Sequence, residues 1–168
     1  MKRQNMVVRG CLRWRVIDQD GKVVREGVNH NIVTDEGDAL VADAMSETPA
    51  RTKVDNANGR IQVGTGWTGT DPKQNAGVNS ITGSAGPMAG GFPQLKTMWG
   101  GADDNIVQYR TIFGAGDLDA MGIDEAALVN HATPGSADCL AYAQINPSVD
   151  VSSTDSLQVD WELSFTGA

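Results

Sequence analysis

The chain is short of several things at once. Its 168 residues include two cysteines and two histidines, and only 5 % are aromatic. Cys11 and Cys139 are too far apart for a Cys-x-x-Cys metal pair, and two cysteines make no disulfide framework. His30 and His131 are the whole histidine complement, which leaves a His-rich metal cluster of the cupin kind without ligands. No apolar run approaches the ~18 residues a membrane-crossing helix requires. Val7-Val8 is cut off by Arg9 before a secretory h-region can form. These shortages point to a soluble protein of a reducing compartment with no membrane partner. Positive charge is short too: no Lys or Arg follows Arg110, and the net charge is −8. Such a chain is a poor general binder of nucleic acid.

Glycine is in excess, with 20 in 168 residues, roughly 12 % against an average near 7 %. With few aromatics, the core must come from Val, Leu, Ile and Ala. Short strands joined by Gly-rich turns fit that profile, in one domain over residues 1–168. Charge is uneven along it. Residues 1–25 carry seven cations (Lys2, Arg3, Arg9, Arg13, Arg15, Lys22, Arg25) against Asp18 and Asp20, a local net of 7 − 2 = +5. Residues 111–168 carry nine acids and no cation. Either the basic start pairs across strands with the acidic end, or a basic arm over about 1–10 docks on an acidic partner.

Alternation places Leu12, Trp14 and Val16 on one face of a first strand and Cys11, Arg13 and Arg15 on the other. Asp20-Gly21 turns it into a second strand over Lys22–Val28, with His30 in the loop beyond. Thr34 is an N-cap, and Asp35, Glu36 and Asp38 suit the first turn of a helix ended by Pro49. Further strands are expected at Arg60–Val63, around Leu95–Trp99, and at Ile106–Phe113, Ile123–Asn130, Cys139–Ile145 and Leu157–Phe165. The last alternates most cleanly and reads as central. Eight strands and one short helix predict an all-β chain, a jelly-roll-like β-sandwich. Between Gly64 and Gly101 lies a long Gly-rich loop whose isolated apolar residues suit ordering by a partner.

Three motifs invite a chemical reading. Gly64-Thr65-Gly66-Trp67-Thr68-Gly69 is literally G-x-G-x-x-G after a strand, but no helical stripe follows and no acid stands ~20 residues on, so it reads as a turn. Asp117-x-Asp119-x-x-Gly122 begins like a calcium loop, yet Met121 and Leu128 occupy two ligand positions. The carboxylate pairs Asp103-Asp104 and Asp124-Glu125 point to opposite faces if their segments are strands. No nucleophile, base and orienting acid stand together in sequence, so the chain is read as non-enzymatic and without cofactor or metal.

The order of elements resembles a recurrent type of tailed-bacteriophage virion structural protein. The resemblance rests on Gly27-Val28-Asn29-His30-Asn31-Ile32-Val33-Thr34 leading into the helix, on Arg60-Ile61-Gln62-Val63-Gly64-Thr65-Gly66 and the Tyr109–Phe113 strand. It continues through Ile123-Asp124-Glu125-Ala126-Ala127-Leu128 and the closing Leu157–Phe165 strand. It implies a virion location after assembly in the host cytoplasm, and a capsid decoration (cement) protein, trimeric, bound to the major capsid protein or other virion proteins. A tail adaptor, tip or receptor-binding component is the neighbouring alternative. A carbohydrate-binding jelly roll stacking sugars on Trp67 or Trp99 belongs to another class. Partner contacts are expected at Lys2, Arg3 and Arg9 as anchors, and at Trp67, Met88, Phe92 and Trp99 as apolar side chains inserted from loops.

Overall fold

The computed structural model describes residues 6–71, 73–95 and 105–167. Two long strands open it, β1 (Met6–Ile17) and β2 (Val23–Val33), joined by a turn in which the Asp18 carboxylate accepts from the backbone N–H groups of Asp20 and Lys22. Gly21 takes the left-handed conformation that the turn needs, at φ +79°. Helix α1 (Asp35–Ala44) follows, with Thr34 Oγ1 accepting from Gly37 N at 3.0 Å and three acids in the first turn, as the sequence predicts. The remaining strands are β3 (Arg60–Gly64), β4 (Gly86–Pro87), β5 (Gln94–Leu95), β6 (Ile106–Phe113), β7 (Ala120–Val129), β8 (Cys139–Val151) and β9 (Ser156–Gly167).

The all-β class expected from the sequence is the one the chain adopts. Its strands pair antiparallel in one nine-stranded sheet, ordered β4-β3-β7-β8-β2-β1-β9-β6-β5, so the pairing does not show the expected split into two layers. The sheet curls until its ends meet. Ala89 N, just past β4, donates to Arg110 O on β6 at 2.7 Å, and Thr111 Oγ1 donates to Pro87 O at 3.0 Å. The curl gives every inward side chain a common interior. Leu12, Trp161 and Tyr109 form one inward row across β1, β9 and β6; Val16, Leu157 and Phe113 form another. β9 is central, between β1 and β6, as its alternation predicts.

Two departures from the sequence reading have local causes. His30 belongs to β2, not to a loop, because Asn29-His30-Asn31 pairs with Leu12-Cys11-Gly10 of β1 despite its low strand propensity. β2 and β8 pair only through Asn31–Val33 and Ala141–Ala143. Beyond that, β8 carries Pro147, which has no N–H to donate, and the gap is bridged by side chains instead: Asn29 Nδ2 donates to Asn146 O at 3.1 Å, and Arg25 lies 3.6 Å from Asp150.

Candidate functional site

Among the described residues, those expected to touch a partner do not form one patch. Lys2, Arg3 and Trp99 lie outside the described residues. Arg9 is exposed on β1, which is already paired with β9 from Met6 onward, so the expected basic arm is strand from that residue. Met88 and Phe92 are buried at 7 % and 8 % exposure, and Phe92 lies under the Arg110 guanidinium, 4.8 Å from ring centroid to Cζ. Both side chains are covered by the chain itself. Trp67 is half-buried against Ala127, Val129 and Tyr142 on the outer face of β7 and β8, and its indole N–H donates to Asp71 at 3.0 Å.

Around Trp67 the structure concentrates polar chemistry that the sequence did not disclose. Glu125 on β7 is fully buried. Its Oε1 accepts from Gly66 N and Ser80 N, both at 2.9 Å. Its Oε2 accepts from Asn79 N at 2.9 Å, Asn79 Nδ2 at 3.1 Å and the Tyr142 hydroxyl at 2.6 Å. One carboxylate thus fastens both limbs of the segment following β3, which also bridges back on Gly64 through Ile81. Asp124 joins by accepting from Trp67 N at 3.1 Å. Neighbouring acids on a regular strand would face apart, but the β7 register shifts between Ile123 and Glu125, which lets both serve one loop. Burial, reinforced by the bond and charge of Glu125, pushes the Tyr142 phenol upward.

The same contacts account for the G-x-G-x-x-G motif. A Cβ on Gly64 would lie 2.4 Å from Ser80 O, and one on Gly66 would lie 2.8 Å from Ser80 N and 2.9 Å from Glu125 Oε1. The two glycines let backbone approach the buried carboxylate, and Gly69 supplies a left-handed turn at φ +91°. The two limbs of the Gly-rich segment at Gly66 and at Asn79–Ser80 are therefore held by the chain's own Glu125. An acid pair inside the otherwise apolar run Ile123–Val129 was the available signal.

Two other places carry chemistry-bearing groups. A cross-strand row sets His30, Cys11 and Glu162 side by side on β2, β1 and β9. The Cys11 thiol is pushed up to about 11, first by burial and then by the charge of Glu162, with Arg13 opposing. A thiol so raised is protonated at neutral pH, the reverse of an activated nucleophile. Asp117 caps its own turn, accepting from Gly114 N at 2.7 Å, and among the described residues no three His, Cys, Asp or Glu side chains gather as a metal site.

The second place is the end of the rolled sheet where β1 begins and β9 ends. Helix α1 lies over this mouth, packing Leu40 into the core. Beside it opens an apolar cleft of about 320 Å³ between α1 and Val54, Tyr109, Leu140 and Phe165, with Arg51 and Lys53 at its margin. Met45, on the helix end, is 76 % exposed. Arg51 is engaged with Glu36 at 2.7 Å and Asp138 at 3.2 Å. Comparison with known families, curated proteins and solved structures finds no match for this chain.

Proposed function

We propose that the chain is a non-enzymatic structural protein of a tailed-bacteriophage particle, a capsid decoration protein that stabilises the head by bridging neighbouring capsid subunits. The element order described above supports the phage assignment. The surface supports an assembly role. The interior is filled by the chain's own side chains, with Leu12, Trp14, Phe113 and Trp161 all at 3 % exposure or less, so recognition falls to the outside. The observation that carries the reading is the mouth, where Met45, left 76 % exposed, lines both an apolar cleft that Lys53 borders and a neighbouring cleft that Arg9 borders. Apolar centres with a polar, charged rim are the ordinary anatomy of a protein interface.

The test is a mass-spectrometric inventory, with copy number, of the particle that carries the protein. Hundreds of copies are expected for a head protein. A few to a dozen would move it to the tail, and absence from purified particles would overturn the reading. Sedimentation of the isolated protein checks the trimer separately.

A further inference from the structure

We propose that the splayed junction of β1 and β2 at the barrel mouth binds an extended peptide segment of a partner protein, by strand addition anchored on the carboxamide of Asn31. The inference rests on the assembly reading above and names the kind of partner segment it would use. β1 pairs with β9 from Met6, but with β2 only from Gly10. β2 leaves β1 at Asn31, and its last residues, Ile32 and Val33, pair with Tyr142 and Ala141 of β8. The sheet therefore opens as a V. On its facing sides, Val7–Arg9 and Ile32–Val33 have no strand opposite among the described residues. A cleft of about 730 Å³ lies there, walled on the far side by Val41 of α1 and by Met45, which caps the helix. Unpaired main-chain edges beside an apolar groove are what an incoming strand uses.

Asn31 stands at the apex, opposite both Gly10 and Ala143. Its side-chain Nδ2 and Oδ1 are both closed off from solvent, and neither has a hydrogen-bond partner among the described residues. An idle donor and acceptor in one buried carboxamide are uncommon in a folded chain. A peptide group supplies both complements, a C=O for Nδ2 and an N–H for Oδ1. Gly10 makes room for the arrangement, since a Cβ there would lie 2.2 Å from Asn31 Oδ1. Arg9 lines the cleft, is exposed, and has no ion-pair partner among the described residues, which calls for an acidic side chain beside the apolar ones. The fitting segment alternates apolar and acidic residues in an extended conformation.

The experiment is an NMR titration of the full chain with a capped hexapeptide of alternating valine and aspartate. Shifts are expected in the Asn31 side-chain NH₂ and in the amides of Val7–Arg9, Ile32 and Val33. Asn31→Ala should weaken binding by about 10-fold. The exposed Arg9→Glu should weaken it without changing Tm, which keeps the test decisive if the Asn31 variant folds poorly. A backbone N-methylated version of the peptide should not bind. Shifts elsewhere, or affinity indifferent to both variants, would each overturn the proposal. So would an ordered water satisfying Asn31 with no response to peptide. Peptide binding by a chain absent from particles would sink the assembly reading and leave this site standing; the opposite result would sink this site alone.

Discussion

Replacing Glu125 tests whether the Gly-rich segment is held by its own chain. The buried carboxylate receives three main-chain N–H groups (Gly66, Asn79 and Ser80), the Asn79 amide and the Tyr142 hydroxyl. Glu125→Ala leaves these donors facing a void. Each donor that stays buried and unbonded costs about 1–3 kcal/mol. The carboxylate's own desolvation penalty, several kcal/mol, is recovered when it is removed. Opening of the loop to water also limits the loss, so a net destabilisation of about 3–4 kcal/mol is expected. Glu125→Gln keeps one carbonyl oxygen, enough for Gly66 and Ser80, but turns an NH₂ toward the Asn79 donors. Tyr142 can rotate its hydroxyl to accept from that NH₂, so about 2 kcal/mol is expected. Urea denaturation reads the midpoint shift, with little change in slope if the barrel still unfolds as a unit. Hydrogen exchange localises the effect: the Gly66, Asn79 and Ser80 amides should lose protection in Glu125→Ala, and the Asn79 amide in Glu125→Gln, while Leu12 and Val159 keep theirs. A Glu125→Gln protein with an unchanged midpoint and unchanged protection at those three amides would refute the clamp.

Three further outcomes follow from the same geometry. Gly66→Ala, whose Cβ would meet Ser80 N at 2.8 Å and the Glu125 carboxylate at 2.9 Å, should cost about 1–3 kcal/mol by urea denaturation and expose the same amides; full stability would mean the loop has room to shift. Cys11, with its thiol pushed up to about 11, should react with iodoacetamide at pH 8 about 100-fold more slowly than an ordinary thiol, while buried Cys139, pushed up to about 12 chiefly by burial, should react only on unfolding; fast labelling of the native chain would contradict both burials. Burial pushes Tyr109 up to about 12 and Tyr142 is also raised, so both phenols hold protons in the folded chain at a pH where the unfolded chain has lost them. Their contribution to stability is complete below about pH 10, the ordinary tyrosine value, and is lost as pH rises through the folded values; a melting temperature flat from pH 9 to 12 would contradict this.

What could be read from the sequence was what local rules decide. The Asp18–Lys22 turn, the Thr34 cap and the inward row of Leu157, Val159, Trp161 and Leu163 follow from residue types and a period of two, and the structure has them all. Pairing partners do not follow from such rules. Nothing local to Asn29-His30-Asn31 marks a strand, because its order comes from β1 and β8, which lie elsewhere in sequence. Closure of the sheet includes Ala89 N meeting Arg110 O, a contact that no residue type or spacing in either segment announces. The Glu125 site was hidden for a similar reason. A regular strand would have sent Asp124 and Glu125 to opposite faces, and it takes the register shift after Ile123 to turn both toward Gly66 and Trp67. The expected loop contacts at Met88 and Phe92 went the other way: isolated apolar residues in a polar stretch were absorbed by the chain's own core.

The charge asymmetry is the case in which topology changes the meaning of a sequence feature most. Cations crowd the first 25 residues and acids the last third, which in a linear chain looks like an arm and its docking surface. In the folded sheet β1 lies directly against β9, so the two ends of the charge gradient are neighbours. Arg13 stands opposite Asp160, and Asp160 stands opposite Arg110, whose Nε it holds at 2.5 Å while itself only 1 % exposed. Arg15 lies 3.5 Å from Glu26, and Arg25 spans to Asp150. Asp160, nearly buried between two arginines, is the member of this set with most at stake, since removing either cation would leave a buried charge poorly compensated. The exposed pairs contribute little each. Three of the seven cations of the basic start, Arg13, Arg15 and Arg25, thus face acids within the chain, in the cross-strand pairing that the sequence allowed as one of its two readings. Among the cations of β1, Arg9 is left over. It stands at the mouth, where β1 and β2 part and Asn31 has no partner among the described residues, so one charge open to a second molecule sits where the fold's hydrogen bonding is also incomplete.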